Sequence, residues 1–205
     1  MKKITSVSLI LISCLTIMVF IISKSNEEKN IIQGKSLDNL STTETLVFEA
    51  KTDGFESLDE LESNSKIILR GKKIGEESPV IYRSEVDGSV AGGYTVTNFK
   101  ISKVYKNETK NKKIKEKEEV NIAENNFFDK KTNKTYSFNG YKKMNVNEEY
   151  LLFLTPEQDG VFATRGVTFG KIPLETNKIE VLKDTEEPLS LNLQKIFSEA
   201  RNQYK

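Results

Sequence analysis

The chain of 205 residues contains no histidine and one cysteine, Cys14. Without histidine the commonest general base is missing, and with it the Ser-His and Cys-His nucleophile arrangements and every zinc site built on nitrogen. Cys14 lies inside the leading apolar run, so the rest of the chain has no thiolate ligand and no disulfide to reinforce a small core. Packing must hold it. Neither sign of charge prevails: 31 Lys and Arg against 30 Asp and Glu leave a net charge of +1, which gives no bulk electrostatic pull toward nucleic acid. The Asp-x-Asp-x-Asp-Gly spacing of a calcium loop is absent. These absences exclude most familiar hydrolase mechanisms and imply no cofactor or metal. Carboxylate-only calcium sites and Ser-Lys or paired-carboxylate catalysis stay open.

What is present first is Met1-Lys2-Lys3 and then an uncharged, mostly apolar run from Ile4 to Ser23, closed by Lys24. About twenty residues at a helical rise of roughly 1.5 Å cover about 30 Å, the hydrocarbon thickness of a bilayer. A cleaved secretory signal has a shorter apolar stretch and a small-x-small cleavage site, and here Leu15 to Ile22 stays apolar with no Ala-x-Ala after it. Retention as an anchor is favoured. Lys2, Lys3 and the amino terminus precede the run, while Glu27 and Glu28 offset Lys24 and Lys29 after it, so the positive-inside bias puts everything past Ser23 outside the cytoplasm. Leu11-Ile12-Ser13-Cys14 resembles the lipobox of bacterial lipoproteins, which makes Cys14 a lipidation candidate, although eight apolar residues follow it. Anchor, lipidation and cleavage all leave the remaining chain extracytoplasmic.

We divide the sequence into a membrane anchor or signal segment at 1–24, a flexible polar tether at 25–45 and one extracytoplasmic domain at 46–205. Ser57 is a candidate N-cap for a short helix ending near Asn64, with Asp59 and Glu60 in its first turn. Strands are expected at 66–71, 80–86, 94–106, 119–123, 136–138, 141–144, 149–154, 161–165, 169–173 and 179–182. Asn139-Gly140 and Asp159-Gly160 are turn signals. Tyr150 to Leu154 is apolar on both faces, which predicts a central, covered strand. In the segment from Tyr94 to Lys106 the apolar residues change parity, from Tyr94 and Val96 to Phe99 and Ile101 and back to Val104. A flat strand keeps one parity, so we expect bulges near Asn98 and Ser102 in a sheet curling into a barrel; a helix is the alternative. Leu193, Ile196, Phe197 and Ala200 form the stripe of a carboxy-terminal helix at 190–203 that docks on the domain.

The order Ser57-Leu58-Asp59-Glu60-Leu61, Lys66-Ile67-Ile68-Leu69-Arg70-Gly71, Tyr94-Thr95-Val96 running into Val104-Tyr105-Lys106, and Glu149-Tyr150-Leu151-Leu152-Phe153-Leu154 resembles bacterial extracytoplasmic proteins with a netrin-like, or TIMP-like, OB barrel. The resemblance spans about residues 55–170 and rests on structural patterns. A glycine often follows the lysine at the end of the long strand in that family, where this chain has Asn107. The resemblance implies a mainly β fold: a five-stranded barrel with a short helix before it, the long strand bent around it and the strand at 149–154 inside. Metalloprotease inhibitors of this superfamily act through an amino-terminal cysteine held by disulfides, and this domain has neither, so that activity does not transfer.

Two basic sets stand out: Lys110, Lys112, Lys113, Lys115 and Lys117, then Lys130, Lys131, Lys134, Lys142 and Lys143. The first set gives the anion-contact candidates, for wall polymer or lipid headgroups; the bland reading is a solvated loop whose charge Glu108, Glu116, Glu118 and Glu119 offset. Phe127, Phe128, Tyr136 and Tyr141 are the aromatics that single-stranded nucleic acid would need for stacking, a partner that an extracytoplasmic location disfavours. The sequons at Asn39, Asn107 and Asn133 are inert in a bacterial setting. Glu76-Glu77 and Glu148-Glu149 are doublets whose neighbours point to opposite strand faces, so neither is an acid and base pair. The expectation is a membrane-tethered binding or structural domain, not an enzyme, whose partner is an envelope protein or an anionic wall component. A surface hydrolase using carboxylates or a Ser-Lys pair is the alternative.

Overall fold

The computed structural model describes residues 43–175, Glu180 and residues 187–204, the last group from 191 onward with side chains. The anchor segment, Cys14, Asn39, most of the tether and all of the strand expected at 179–182 except Glu180 lie outside the described residues. Among the described residues no helix is long and apolar enough to cross a membrane.

Among the described residues ten strands and two helices follow one another as β1 (Glu44–Phe48), α1 (Leu58–Asn64), β2 (Ile67–Glu76), β3 (Val80–Arg83), β4 (Val90–Asn107), β5 (Glu119–Glu124), β6 (Asn126–Asp129), β7 (Lys134–Phe138), β8 (Glu149–Leu154), β9 (Phe162–Ala163), β10 (Lys171–Pro173) and α2 (Glu187–Gln203). The larger sheet runs β10-β8-β2-β4-β5-β9, with β3 added to β4, and curls into a half-barrel. All its pairs are antiparallel except β5 and β9, which run parallel. Main-chain bonds reach across the remaining gap: Leu154 bridges Thr164, Arg165 N–H donates to the Phe153 carbonyl at 2.8 Å, and Thr155 N–H donates to Ala163 at 3.0 Å. A second sheet, β1-β7-β6, joins β1 in parallel to β7.

Curling follows from irregular pairing. The β2/β4 register slips three times, leaving Tyr105 and Ser102 on β4 and Ile74 on β2 without a partner. The extra residue at Ser102 is the expected bulge, and it carries the inward face from Phe99 and Ile101 to Val104. The irregularity expected near Asn98 falls on the opposing strand instead, at Ile74, and β4 pairs with β5 without interruption from Thr95 to Lys100. The parity change there has another cause. Thr95 and Thr97 continue the odd, inward row of Phe99, so the face turns polar while the strand stays regular. At Gly71 the two strands approach so closely that a Cβ would lie 2.1 Å from the Lys100 carbonyl oxygen.

β8 is the covered strand that its two-sided hydrophobicity predicts. Tyr150, Leu152 and Leu154 pack inside the curl with Ile67, Leu69, Phe99, Ile101, Val120, Ile122 and Phe162. Leu151 and Phe153 face the helices, against Leu58, Leu61, Leu193, Ile196 and Phe197. Ser57 caps α1 by accepting from Glu60 N–H at 3.2 Å, as its position predicts. Burying each large apolar side chain contributes roughly 1.5–3 kcal/mol, which is how a body without disulfides holds together.

Several sequence expectations change, and the strand expected at 80–86 ends at Arg83. Residues 44 and 45, assigned to the tether, open β1. Residues 141–144 form no strand; Asn139 and Gly140 do make a turn with positive φ of 49° and 68°, but β7 pairs with β6 and β1 instead. The strands expected at 161–165 and 169–173 shrink to β9 and β10 because glycines at 166 and 170 sit against backbone, Gly166 with positive φ.

Candidate functional site

The lysine-rich connection between β4 and β5 is a built loop. Asn107 Nδ2 donates to the Asn111 carbonyl at 3.0 Å, Thr109 Oγ1 donates to Asn107 Oδ1 at 2.8 Å, and Asn111 Oδ1 accepts from Lys113 N–H at 2.9 Å. Ile114, 4 % exposed, turns inward and packs in the core of the curl. Lys117 N–H donates to the Ile101 carbonyl, and Ile101 N–H to that of Glu118, both at 2.9 Å. All five candidate lysines are exposed on this frame.

Much of the acidic charge that could cancel them is directed elsewhere. Glu108 pairs with Lys66 at 2.9 Å and Lys106 at 3.1 Å, and Glu119 pairs with Lys100 at 3.0 Å. Glu157, from the turn after β8, comes in to hold Lys113 Nζ at 2.5 Å and accepts from Asn111 Nδ2 at 2.6 Å. Those two hydrogen bonds, from Lys113 first, lower the Glu157 carboxyl below its ordinary value. Among the described residues Lys110, Lys112, Lys115 and Lys117 form no ion pair.

The second basic set does not join this face. Lys134 pairs with Glu44 at 3.0 Å beside β1, and Lys143 pairs with Glu76 at 2.8 Å at the far end of β2 from Lys66. Nine residue steps of strand, at about 3.3 Å each, separate the two ends of β2 by roughly 30 Å. Of the four candidate stacking aromatics, Phe127, Tyr136 and Tyr141 are buried and Phe128 is exposed, so they do not form one surface platform. The carboxylate doublets are dispersed as well: Glu76 faces Lys73 and Lys143, Glu77 accepts from Asn98, Glu148 from Asn145, and Glu149 from Arg70.

At that far end lies a charge cluster that sequence reading missed. Glu124, fully buried, accepts from Lys73 Nζ at 3.0 Å, Tyr141 OH at 3.1 Å, Met144 N–H at 2.6 Å and the Thr97 hydroxyl. Lys171, 1 % exposed, donates to Glu180 Oε2 at 2.8 Å and to the Lys142 carbonyl, and lies 4.7 Å from the Tyr141 ring centroid. Tyr150 OH stands 3.2 Å from both Glu180 Oε1 and Glu148 Oε2 and accepts from Asn145 N–H at 2.8 Å. Burial pushes the Lys171 ammonium below its ordinary value, against the pull of Glu180. Burial, then the charge of Glu124, pushes the Tyr141 phenol well above its own.

One signal could have found this cluster. The inward row of β2 continues through Gly71 to Lys73, that of β5 through Val120 and Ile122 to Glu124, and that of β4 back from Phe99 to Thr97. A charged residue at the next inward position of an apolar row marks a partnered interior site. Every carboxylate oxygen of Glu124 is occupied by protein donors, so the arrangement serves to hold three strands and the 141–148 segment together. Two open hollows lie on the described surface, one of about 670 Å³ beside Phe55, Glu60, Phe169 and Asn192 and one of about 450 Å³ beside Glu62, Tyr105 and Tyr204. Ser63 and Lys106 also line the second, but their hydrogen bonds go elsewhere: Ser63 Oγ donates to the Asp59 carbonyl at 2.7 Å and Lys106 Nζ to the Glu62 carbonyl at 2.9 Å. No protein-family model matches the chain, and no curated protein matches it.

Proposed function

We propose that this protein is a membrane-tethered, extracytoplasmic binding or structural module, without catalytic activity, that contacts an envelope protein or an anionic wall component. The observation that carries the reading is the leading run from Ile4 to Ser23 behind Lys2 and Lys3, placed before a compact β-rich body. Supporting it, the buried Lys73, Glu124 and Lys171 are answered by internal partners, whereas Lys110, Lys112, Lys115 and Lys117 stand on the surface.

We further read the curled sheet as an OB-like barrel of the netrin-like kind. The bridge between Leu154 and Thr164, just past β9, brings the β5–β9 edge of the sheet round to β8, as closure of a barrel requires. The bent β4 and the covered β8 fit the same reading. The surface-hydrolase alternative needs a cleft with convergent ionisable groups.

The test is topology in intact cells. A carboxy-terminal epitope on the full chain is accessible to added protease and stays with the membrane fraction after a high-salt wash, and intact mass then separates a retained anchor from lipidation at Cys14. Recovery of the folded body in the cytosol overturns the proposal.

A further inference from the structure

We propose that the β4–β5 loop is the contact surface for a linear, flexible polyanion bearing repeated phosphate groups; this rests on the binding-module reading above and names its ligand class. Four observations narrow the chemistry. First, Lys110, Lys112, Lys115 and Lys117 form no ion pair among the described residues, while Glu108 and Glu119 are engaged with Lys66, Lys106 and Lys100. The unpaired ammoniums therefore outnumber the two acids left in the loop, Glu116 and Glu118. Second, the loop contains no arginine, so it lacks the planar fork that recognises fixed carboxylates in two-point fashion; lysine offers point charges suited to phosphates of variable orientation.

Third, the loop presents no apolar or aromatic group outward. Ile114 is turned into the core, leaving nothing to enter a bilayer and no ring on which a nucleic-acid base could stack. Fourth, Lys110 and Lys117 occupy left-handed backbone, with φ of 57° and 69°. The chain's other left-handed turns mostly use asparagine, aspartate or glycine, as at Asn133, Asn139, Asn147, Asp159 and Gly88. Lysine at these two positions is the less favourable backbone choice and so places charge at a conformational cost. Because side-chain hydrogen bonds and the Ile114 pin already order the loop, little further ordering opposes binding.

The experiment uses the full chain in a non-ionic detergent and long-chain inorganic polyphosphate as the probe, with binding followed by fluorescence anisotropy at several salt concentrations. The expected result is binding that weakens with salt, and a Lys110→Asn, Lys112→Gln, Lys115→Gln, Lys117→Asn variant that binds at least about tenfold more weakly with a shallower salt slope. The Lys110→Asn, Lys117→Asn double variant provides the fold control: its Tm is expected to be equal or higher while its affinity falls. Unchanged affinity in the quadruple variant overturns the loop assignment and leaves the module reading standing. Binding to vesicles of anionic lipid in preference to polyphosphate overturns the polymer assignment. Cellular topology decides the module reading independently of either result.

Discussion

At the Lys66 end of β2 the lysines of the β4–β5 loop stand in solvent around one buried pin, Ile114; at the Lys73 end two lysines are buried to 1 % and answered by carboxylates and a main-chain carbonyl. The same side chain therefore does two kinds of work in one sheet. In the apolar half of the curl, stability grows with area removed from water and tolerates small misfits. In the polar half each partner is indispensable, because a charge left alone in the interior keeps its full desolvation cost.

Glu124→Ala is the sharpest way to break that contrast. It takes the acceptor from Thr97, Tyr141 and the Met144 N–H together and leaves Lys73 with Glu76 alone, and urea denaturation is expected to show a loss of about 3–5 kcal/mol. Combined with Lys73→Met, the loss should fall well short of the sum of the two single changes, because each single change removes the other charge's buried partner. Strict additivity would mean that the cluster is not a unit. Leu152→Ala, in the apolar half, is expected to cost about 2–5 kcal/mol by the same urea titration, through the cavity it leaves.

Alkaline titration separates the halves in another way. Tyr141 and Tyr150 have folded pKa values above their ordinary 10.0, through burial first and through nearby Glu124 and Glu180. Above pH 10 the unfolded chain releases these phenolic protons and the folded one keeps them, so stability falls as pH rises, by up to about 1.4 kcal/mol per pH unit for each phenol. Tyr141→Phe should flatten that slope in pH-dependent thermal melts, and an unchanged slope would refute the assignment. The smallest effect is at the exposed end: Lys113→Ala, which opens the ion pair to Glu157, should change stability by about 0–1 kcal/mol and lose even that in high salt.

Strands whose inward rows are apolar were legible from the sequence, as were Ser57 at the start of α1, the covered β8 and the bulge at Ser102, because each leaves a local periodic mark. What escaped depends on distant partners. β1 and β6 are short and identify themselves only by pairing with β7, and residues 141–144 follow the Asn139-Gly140 turn as a hairpin arm would, whereas Tyr141 and Met144 are needed to close the polar end. The lysines at 110–117 were found by charge alone, but their fixed frame required Asn107, Asn111 and Glu157, the last brought in from 46 residues beyond Asn111. Residue type alone hides the buried cluster, because lysine and glutamate are ordinarily surface residues; only the inward parity of Lys73 and Glu124 marks them as interior.

The parallel seating of β1 on β7 has a mechanical consequence. Traction applied ahead of Glu44 and along the strand axis loads the whole five-residue ladder at once, from Glu44 opposite Lys134 to Phe48 opposite Phe138, rather than peeling one rung at a time. Sliding must also drag Phe48 past the faces of Tyr136 and Phe138. The first strand thus acts as a shear clamp, and the body behind it is shielded from strain arriving through its leading end.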